Sequence, residues 1–257
     1  MRDTVLVTGA TGTLGRAVVQ RLLRTAGHVR ALSRTQRATG DQSCSWVTGD
    51  LRNGAGLDDA VAGVGVIVHC ATTNGRGDVA AMRNLVAATE RAGKPHLIYI
   101  SIVGIERIPM FYYRAKRESE RLLEGSGLPW TILRATQFHD LIVSMTAIQR
   151  WLPAVLMPAG VRFQPIDVAD VAERLVELVG RDAAGRMPDI GGPQVRDARE
   201  LARLTLRALG RNRAVLSVPV PGKMIRGYRE GANLVPDHAD GRISFEQFLA
   251  GRHGGRS

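Results

Sequence analysis

The chain has 257 residues, 44% hydrophobic and 23% charged, with 35 Lys and Arg against 24 Asp and Glu for a net charge of +11. That balance is ordinary for a globular protein and excludes disorder, collagen and coiled coil; no apolar run approaches the ~20 residues a membrane helix needs. Two cysteines, Cys44 and Cys70, are too few for a disulfide framework, and no Cys/His cluster has metal-ligand spacing, so no metal is expected.

A compact chain of this length buries roughly 75% of its unfolded surface. Its first residues run directly into an apolar strand without the pattern of a leader, which predicts a cytoplasmic protein. Strands are predicted at Val5–Val7, Val29–Leu32, Ser45–Val47, Val66–His69, Leu97–Ile100 and Thr131–Leu133. Between them lie amphipathic helical patterns at Leu14–Leu23, Val79–Arg91 and Tyr113–Glu124. Near-continuous apolar strands alternating with helices predict an α/β fold, a Rossmann-type doubly wound parallel sheet covered on both faces, with right-handed crossovers. The pattern weakens after Arg134, and eight of the 11 prolines follow that point. The core is therefore expected mainly in 1–134, with later returns near 161–192. A small irregular C-terminal lobe from 135–160 and 193–257 is expected over the sheet's carboxyl edge. The Gly/Arg-rich tail after Ala250 is read as frayed.

Lysine occurs only at 94, 116 and 223, so the other 32 of the 35 basic residues are Arg, spread along the whole chain. Arg196, Arg199, Arg203, Arg207 and Arg211 fall on one helical face. A solvated face is preferred to a phosphate-binding stripe, and with aromatics at only 5% no nucleic-acid partner is expected. No membrane partner is expected either.

Thr4-Val-Leu-Val-Thr-Gly9-Ala10-Thr11-Gly12-Thr13-Leu14-Gly15 reads as a strand, a glycine turn and a helix start. Gly9 permits the tight turn, Gly12 lets the backbone approach a pyrophosphate, and Gly15 allows close helix–strand packing. The helix start offers unpaired N–H donors to the phosphates. This context, inside a βαβ unit, predicts a dinucleotide site and a single NAD(P)-binding domain over 1–257. About 20 residues on, an NAD site places an acid for the ribose 2′-hydroxyl. Here the strand ends at Ser33, no acid lies between His28 and Gly40, and Arg34 and Arg37 are present. NADP (NADPH) is expected, and NAD is the lesser alternative. Asp50 and Leu51 follow the third strand, where the adenine would lie; Asp50 is equally read as a helix cap. Cys70, Ala71 and Thr72 end the fourth strand along the cofactor's path, with Cys70 read as a packed residue rather than a reactive thiol.

Gly9–Gly15, Gly49-Asp50-Leu51, Tyr99-Ile-Ser101 and Tyr112-Tyr-Arg-Ala-Lys116 resemble the short-chain dehydrogenase/reductase superfamily. Leu128-Pro-Trp-Thr-Ile-Leu-Arg134 with Ala-Thr-Gln-Phe138, Ile166-Asp-Val-Ala-Asp-Val-Ala172, and the stretch from Pro221 to Leu249 resemble its atypical, NmrA-like branch. The resemblance implies a Rossmann core, NAD(P) binding, and either reductase activity or cofactor sensing without turnover. It also implies a Tyr–Lys pair, with the Lys contacting the nicotinamide ribose, and a Ser steadying the substrate oxygen. Tyr112 and Lys116 are four apart on a helical segment and share a face. A phenol with its ordinary pKa near 10 is a poor proton donor at neutral pH, and a neighbouring ammonium stabilises its conjugate base. Tyr113 is a rival three residues from Lys116; an exposed helix pair is the structural alternative for Tyr112 and Lys116. Ser101 is the natural Ser candidate; the alternative is that Ile102 occupies the place of the superfamily's Ser, a departure that bears on turnover rather than on binding.

After the sixth strand, Gln137, Phe138 and His139 are expected at the nicotinamide end, His139 as a pocket or packing residue. Met145, Trp151, Leu152, Leu156, Met157 and Phe163 offer either an apolar substrate lining or a core. The expected function is an NADP-dependent oxidoreductase transferring hydride between NADPH and a small, largely apolar carbonyl or quinone. The alternative is a non-catalytic NAD(P)-binding redox sensor of NmrA type. The partner expected is a small-molecule substrate, and the oligomeric state is left open.

Overall fold

A computed structural model of the chain describes residues 4–25, 28–37, 44–73 and 75–254. In chain order its elements are β1 (Thr4–Thr8), α1 (Thr13–Thr25), β2 (Val29–Ser33), β3 (Cys44–Thr48), α2 (Leu57–Val61), β4 (Val64–His69), α3 (Gly77–Arg91), β5 (His96–Ile102), α4 (Phe111–Glu124) and β6 (Trp130–Ala135). Then follow α5 (His139–Ala147), β7 (Ala154–Pro158), β8 (Arg162–Phe163), α6 (Val168–Val179), β9 (Gly185–Arg186), β10 (Arg196–Asp197), α7 (Ala198–Ala208), β11 (Ala214–Val218), α8 (Lys223–Arg229) and α9 (Phe245–Gly254).

The chain divides into two compact units. Unit 1 is Met1–Ser101, Phe111–Arg134 and Val171–Pro188; unit 2 is Ile102–Met110, Ala135–Asp170 and Asp189–Ser257. The seven-stranded sheet runs in the order β3-β2-β1-β4-β5-β6-β9. Its first strand is parallel to both neighbours, pairing Val5 with Val29 and Val66, and Val7 with Ala31 and Val68. The crossover helices bury the stripes that their 3.6-residue period creates. Ala81, Met82, Leu85 and Ala88 of α3 pack with Leu57 of α2 and with Leu6, Ile67 and Leu97 of the strands. Each fully buried leucine there contributes about 1.5–3 kcal/mol of transfer free energy.

The predicted strands and helices stand within a few residues of the observed ones. The seventh strand, β9, was too short to read: its two residues pair with Thr131 and Ile132 of β6. That pairing returns 171–188 to unit 1, a narrower segment than 161–192, because β8 instead pairs antiparallel with β10 inside unit 2. Residues 102–110, placed in the core by the sequence reading, likewise cluster with unit 2.

Unit 2 is made of short pieces. β7 and β11 form a parallel pair, and a core gathers Ile142, Val155, Met157, Phe163, Leu201 and Leu206. Prolines sit at element ends, where a missing N–H breaks no ladder: Pro153 precedes β7, Pro158 closes it, and Pro236 opens a 3-10 turn. Of the proposed substrate lining, Met157 and Phe163 belong to this core, Met145 packs against it, and Trp151, Leu152 and Leu156 are exposed. The arginine stripe opens with Arg196 on Gln194, Glu200 and Glu246 and with Arg199 on the Val215 carbonyl. The tail reading is altered for 251–254, which α9 includes; residues 255–257 lie outside the described residues. Among the described residues, no helix is long and apolar enough to cross a membrane, and no group of three or more His, Cys, Asp or Glu is placed to hold a metal ion.

Candidate cofactor and proton-transfer site

The carboxyl ends of β1, β2, β4 and β5 and the first turns of α1, α3 and α4 supply the functional side chains of unit 1. Gly9 has φ +68°, and a Cβ there would lie 2.6 Å from the backbone of Ala71. Only glycine lets the β1–α1 turn lie this close to the end of β4. A Cβ on Gly15 would run into the Gly9 carbonyl, and one on Gly12 would stand 3.3 Å from the same oxygen. The Gly12 N–H donates to Gly9 O, and the first i→i−4 bond of α1 is Arg16 to Gly12. The N–H groups of Thr13, Leu14 and Gly15 precede that bond and have no intrahelical acceptor. Thr11, Gly12 and Thr13 are exposed while Ala10 and Leu14 are buried beneath them. This is a cradle of backbone donors, open on top and filled below, which fits a pyrophosphate.

At the end of β2, the buried Ser33 accepts a bond from Thr35 N through its hydroxyl and one from Gly49 N through its carbonyl. Arg34 and Arg37 follow on the surface, and the Arg37 guanidinium lies 5.2 Å above the Trp46 ring. No acid occurs among residues 34–37. Asp50 does not cap α2, whose N-cap is Gly56. Its carboxylate instead accepts from Arg52 N, closing the turn after β3. Leu51 is buried, and its carbonyl accepts from Asn84 of α3.

Beyond β4 the chain makes a connection that sequence reasoning missed. Asp78, in the first turn of α3, is 5% exposed and accepts from the Thr72 hydroxyl at 2.6 Å. It also accepts from the Thr73 hydroxyl at 2.8 Å and from Thr73 N. An acid in the first helical turn is favoured by the helix dipole, and this one also pins the end of β4. Thr72 Oγ1 stands 3.3 Å from the Tyr112 hydroxyl. The signal available was an acid at a helix start, six and five residues after the adjacent Thr72 and Thr73. Cys70 is packed in this region, and burial pushes its thiol up to about 12, opposed by Lys116.

Tyr112 and Lys116 are brought together as their spacing predicts. The Lys116 ammonium is 4% exposed, donates to Ile100 O at 3.2 Å, and lies 4.7 Å from the Tyr99 ring centre and 5.8 Å from that of Tyr112. Burial alone would lower Lys116, but Tyr99, Tyr112 and Asp78 outweigh it and hold the ammonium above its ordinary range. Lys116 is therefore a buried cation at neutral pH, held by a carbonyl and aromatic faces. A planar guanidinium would not fit this compact seat. Tyr113 is 2% exposed, whereas Tyr112 is half-buried. Tyr99 was named only as part of the Tyr99-Ile-Ser101 motif and given no role; its phenol is raised by burial, with Lys116 opposing.

Ser101 ends up buried on β5, with its hydroxyl lacking a hydrogen-bond partner among the described residues. Such an orphan is expensive in a folded core unless a ligand satisfies it. Gln137, Phe138 and His139 lie in unit 2. Gln137 accepts from Asn233 through its side chain and from Ile166 N through its carbonyl, and Phe138 bridges to Ile166. His139 Nε2 is 3.0 Å from Ile243 O, and the ring packs on Phe245 and Phe248. A carbonyl partner places the proton on Nε2, and burial lowers the ring despite that bond. His139 is thus neutral and built into the packing of unit 2.

A parallel sheet in the order 3-2-1-4-5-6, a glycine turn with unpaired helix donors after β1, and a buried lysine facing a tyrosine after β5 define a Rossmann-type dinucleotide-binding protein. Residues 9–182 match the NAD(P)H-binding family, and the chain belongs to it. The (4-alkanoyl-5-oxo-2,5-dihydrofuran-3-yl)methyl phosphate reductase of Streptomyces griseus is 34% identical over 224 residues, 80% of this chain and 74% of that protein. An uncharacterized protein of Mycobacterium tuberculosis is 27% identical over 186 residues, 71% of this chain but only 19% of that protein. The fold is shared with the NADPH-dependent quinone oxidoreductase of Escherichia coli solved with NADPH, at a TM-score of 0.82 and 18% identity, covering 97% of this chain and 99% of that one.

Proposed function

We propose that the chain is an NADP-dependent oxidoreductase that transfers hydride between NADPH and a small, largely apolar carbonyl or quinone. The observation that carries this reading is the buried Lys116 ammonium beside the half-buried Tyr112, in the same unit as the glycine cradle. The reductase name of the Streptomyces relative supports the reaction class, and the exposed Arg34 and Arg37 support NADP. The N–H groups at Thr13, Leu14 and Gly15 would hold the pyrophosphate, and Arg34 the 2′-phosphate. Lys116 would hold the ribose. When bound, the reduced nicotinamide supplies the hydride.

The protein's own chemistry is then a proton transfer. The Tyr112 O–H gives its proton to the substrate oxygen as the carbonyl carbon is reduced, and the negative charge left on Tyr112 faces the Lys116 ammonium. That charge stabilisation acts in a partly buried setting, where it is stronger than in water. Loss of NADPH absorbance against a panel of quinones and carbonyls tests the proposal. Consumption of NADPH by a quinone such as 9,10-phenanthrenequinone is expected. No consumption across the panel, with NADPH still binding, would favour a cofactor sensor.

A further inference from the structure

The Thr72 hydroxyl has one proton, and both Asp78 and Tyr112 lie within reach of it. The Asp78 carboxylate is 2.6 Å away, while the Tyr112 hydroxyl is 3.3 Å away. The shorter, charge-assisted bond wins the proton. Thr72 Oγ1 then presents only lone pairs to Tyr112, and the Tyr112 O–H must be the donor between them. Asp78 is fixed by two further bonds from Thr73. Next to it, a Cβ on Gly75 would lie 3.0 Å from the Phe111 ring, and the Arg76 guanidinium lies 5.6 Å above that ring. The chain before α3 therefore meets the start of α4 at Phe111 as well as at Tyr112.

From this geometry we infer that Thr72 and Asp78 are positioning residues for the Tyr112 hydroxyl, Asp78 setting the direction of the Thr72 hydroxyl so that Tyr112 is held loaded with its proton. The inference rests on the proposed role of Tyr112 as the proton donor. Between turnovers Thr72 accepts the Tyr112 proton's hydrogen bond and fixes the ring's rotamer. When the proton leaves, Thr72 offers the oxyanion nothing unless its own proton turns away from Asp78, so the reaction's negative charge is left to Lys116. The charged and titratable groups that face Tyr112 are Lys116 and Tyr113 from α4, with Asp78 from the first turn of α3 reaching it through Thr72; Tyr99 from β5 and Cys70 at the end of β4 face Lys116.

A double-mutant cycle tests this without any substrate. Tyrosinate absorbance is followed against pH in the full chain, and the component that Tyr112→Phe removes is assigned to Tyr112. In Asp78→Asn the Thr72 proton is free to turn to Tyr112, so that component should appear at lower pH, by about tenfold in proton activity, the scale of one hydrogen bond. In the Thr72→Val background the same Asp78→Asn change should have a clearly smaller effect, because only the loss of charge remains. Thr72→Val alone should also lower the onset, while Thr72→Ser, which keeps the hydroxyl, should match the wild type. An equal shift in both backgrounds, or no shift in Asp78→Asn, overturns the inference. If Asp78→Asn does not fold, as its melting curve would show, the Val and Ser pair at position 72 decides, and an unchanged onset in Thr72→Val overturns it. Because the titration needs no turnover, its failure is separable from a failure of the quinone panel.

Discussion

His69 lies on β4 with Nδ1 2.6 Å from the Thr8 hydroxyl and its ring stacked on Tyr99 at 5.4 Å. Burial, with Lys116 adding to it and Asp78 opposing, lowers its pKa from 6.5 to about 3. The neutral ring is what folds, whereas the unfolded chain protonates it below about 6.5. Stability from this site is therefore fully present above that pH and is lost as pH falls towards 3, by about 2 kcal/mol at pH 5. Urea unfolding at pH 7 and pH 5 should show that loss, and His69→Gln should reduce the difference. Equal pH dependence in the two proteins would contradict a buried neutral His69. The same layer explains why Lys116 is not arginine. Its charge is spent on one carbonyl and two aromatic faces, contacts a compact ammonium makes without opening the core.

Among the elements, the turn between β1 and α1 carries the tightest constraint. A side chain at Gly12 would stand 3.3 Å from Gly9 O, over the exposed donors of α1. Gly12→Asp adds both bulk and a negative charge where phosphates are expected, so NADPH fluorescence enhancement should vanish while the melting temperature changes little. Unchanged affinity in that variant would remove the cradle from the site. This turn, the strand pattern and the Tyr112–Lys116 pair were legible because each rests on local spacing: glycine period, alternation of strand and helix, and four residues on one helical face. Asp78 was not, since its importance depends on how the chain folds back after β4 to put a carboxylate under Thr72. Nor were the environments of Gln137 and His139, whose partners Asn233 and Ile243 lie 96 and 104 residues away. The buried Arg134–Glu120 pair is a similar case: Arg134 lies on β6 and Glu120 on α4, and no local pattern links them. Such a pair fixes a helix to a strand, and Arg117 of the same helix also reaches Glu120.

Over the whole molecule, the net charge of +11 attracts any dinucleotide at low ionic strength, and this long-range attraction barely distinguishes NADPH from NADH. Discrimination has to be local, at the end of β2. Arg34→Ala should weaken NADPH by ~2 kcal/mol, the scale of a charge-assisted contact, and leave NADH nearly unchanged. Equal losses for both would assign Arg34 to the fold instead. The proposed reductase depends on Tyr112 as its proton donor. Steady-state reduction of 9,10-phenanthrenequinone by NADPH, compared between wild type and Tyr112→Phe, tests it most directly. The substitution removes one hydroxyl, so NADPH affinity should be retained while kcat falls by about 10²–10⁴-fold, the usual contribution of general acid catalysis. Reduction by Tyr112→Phe at the wild-type rate would mean that Tyr112 is not the proton donor.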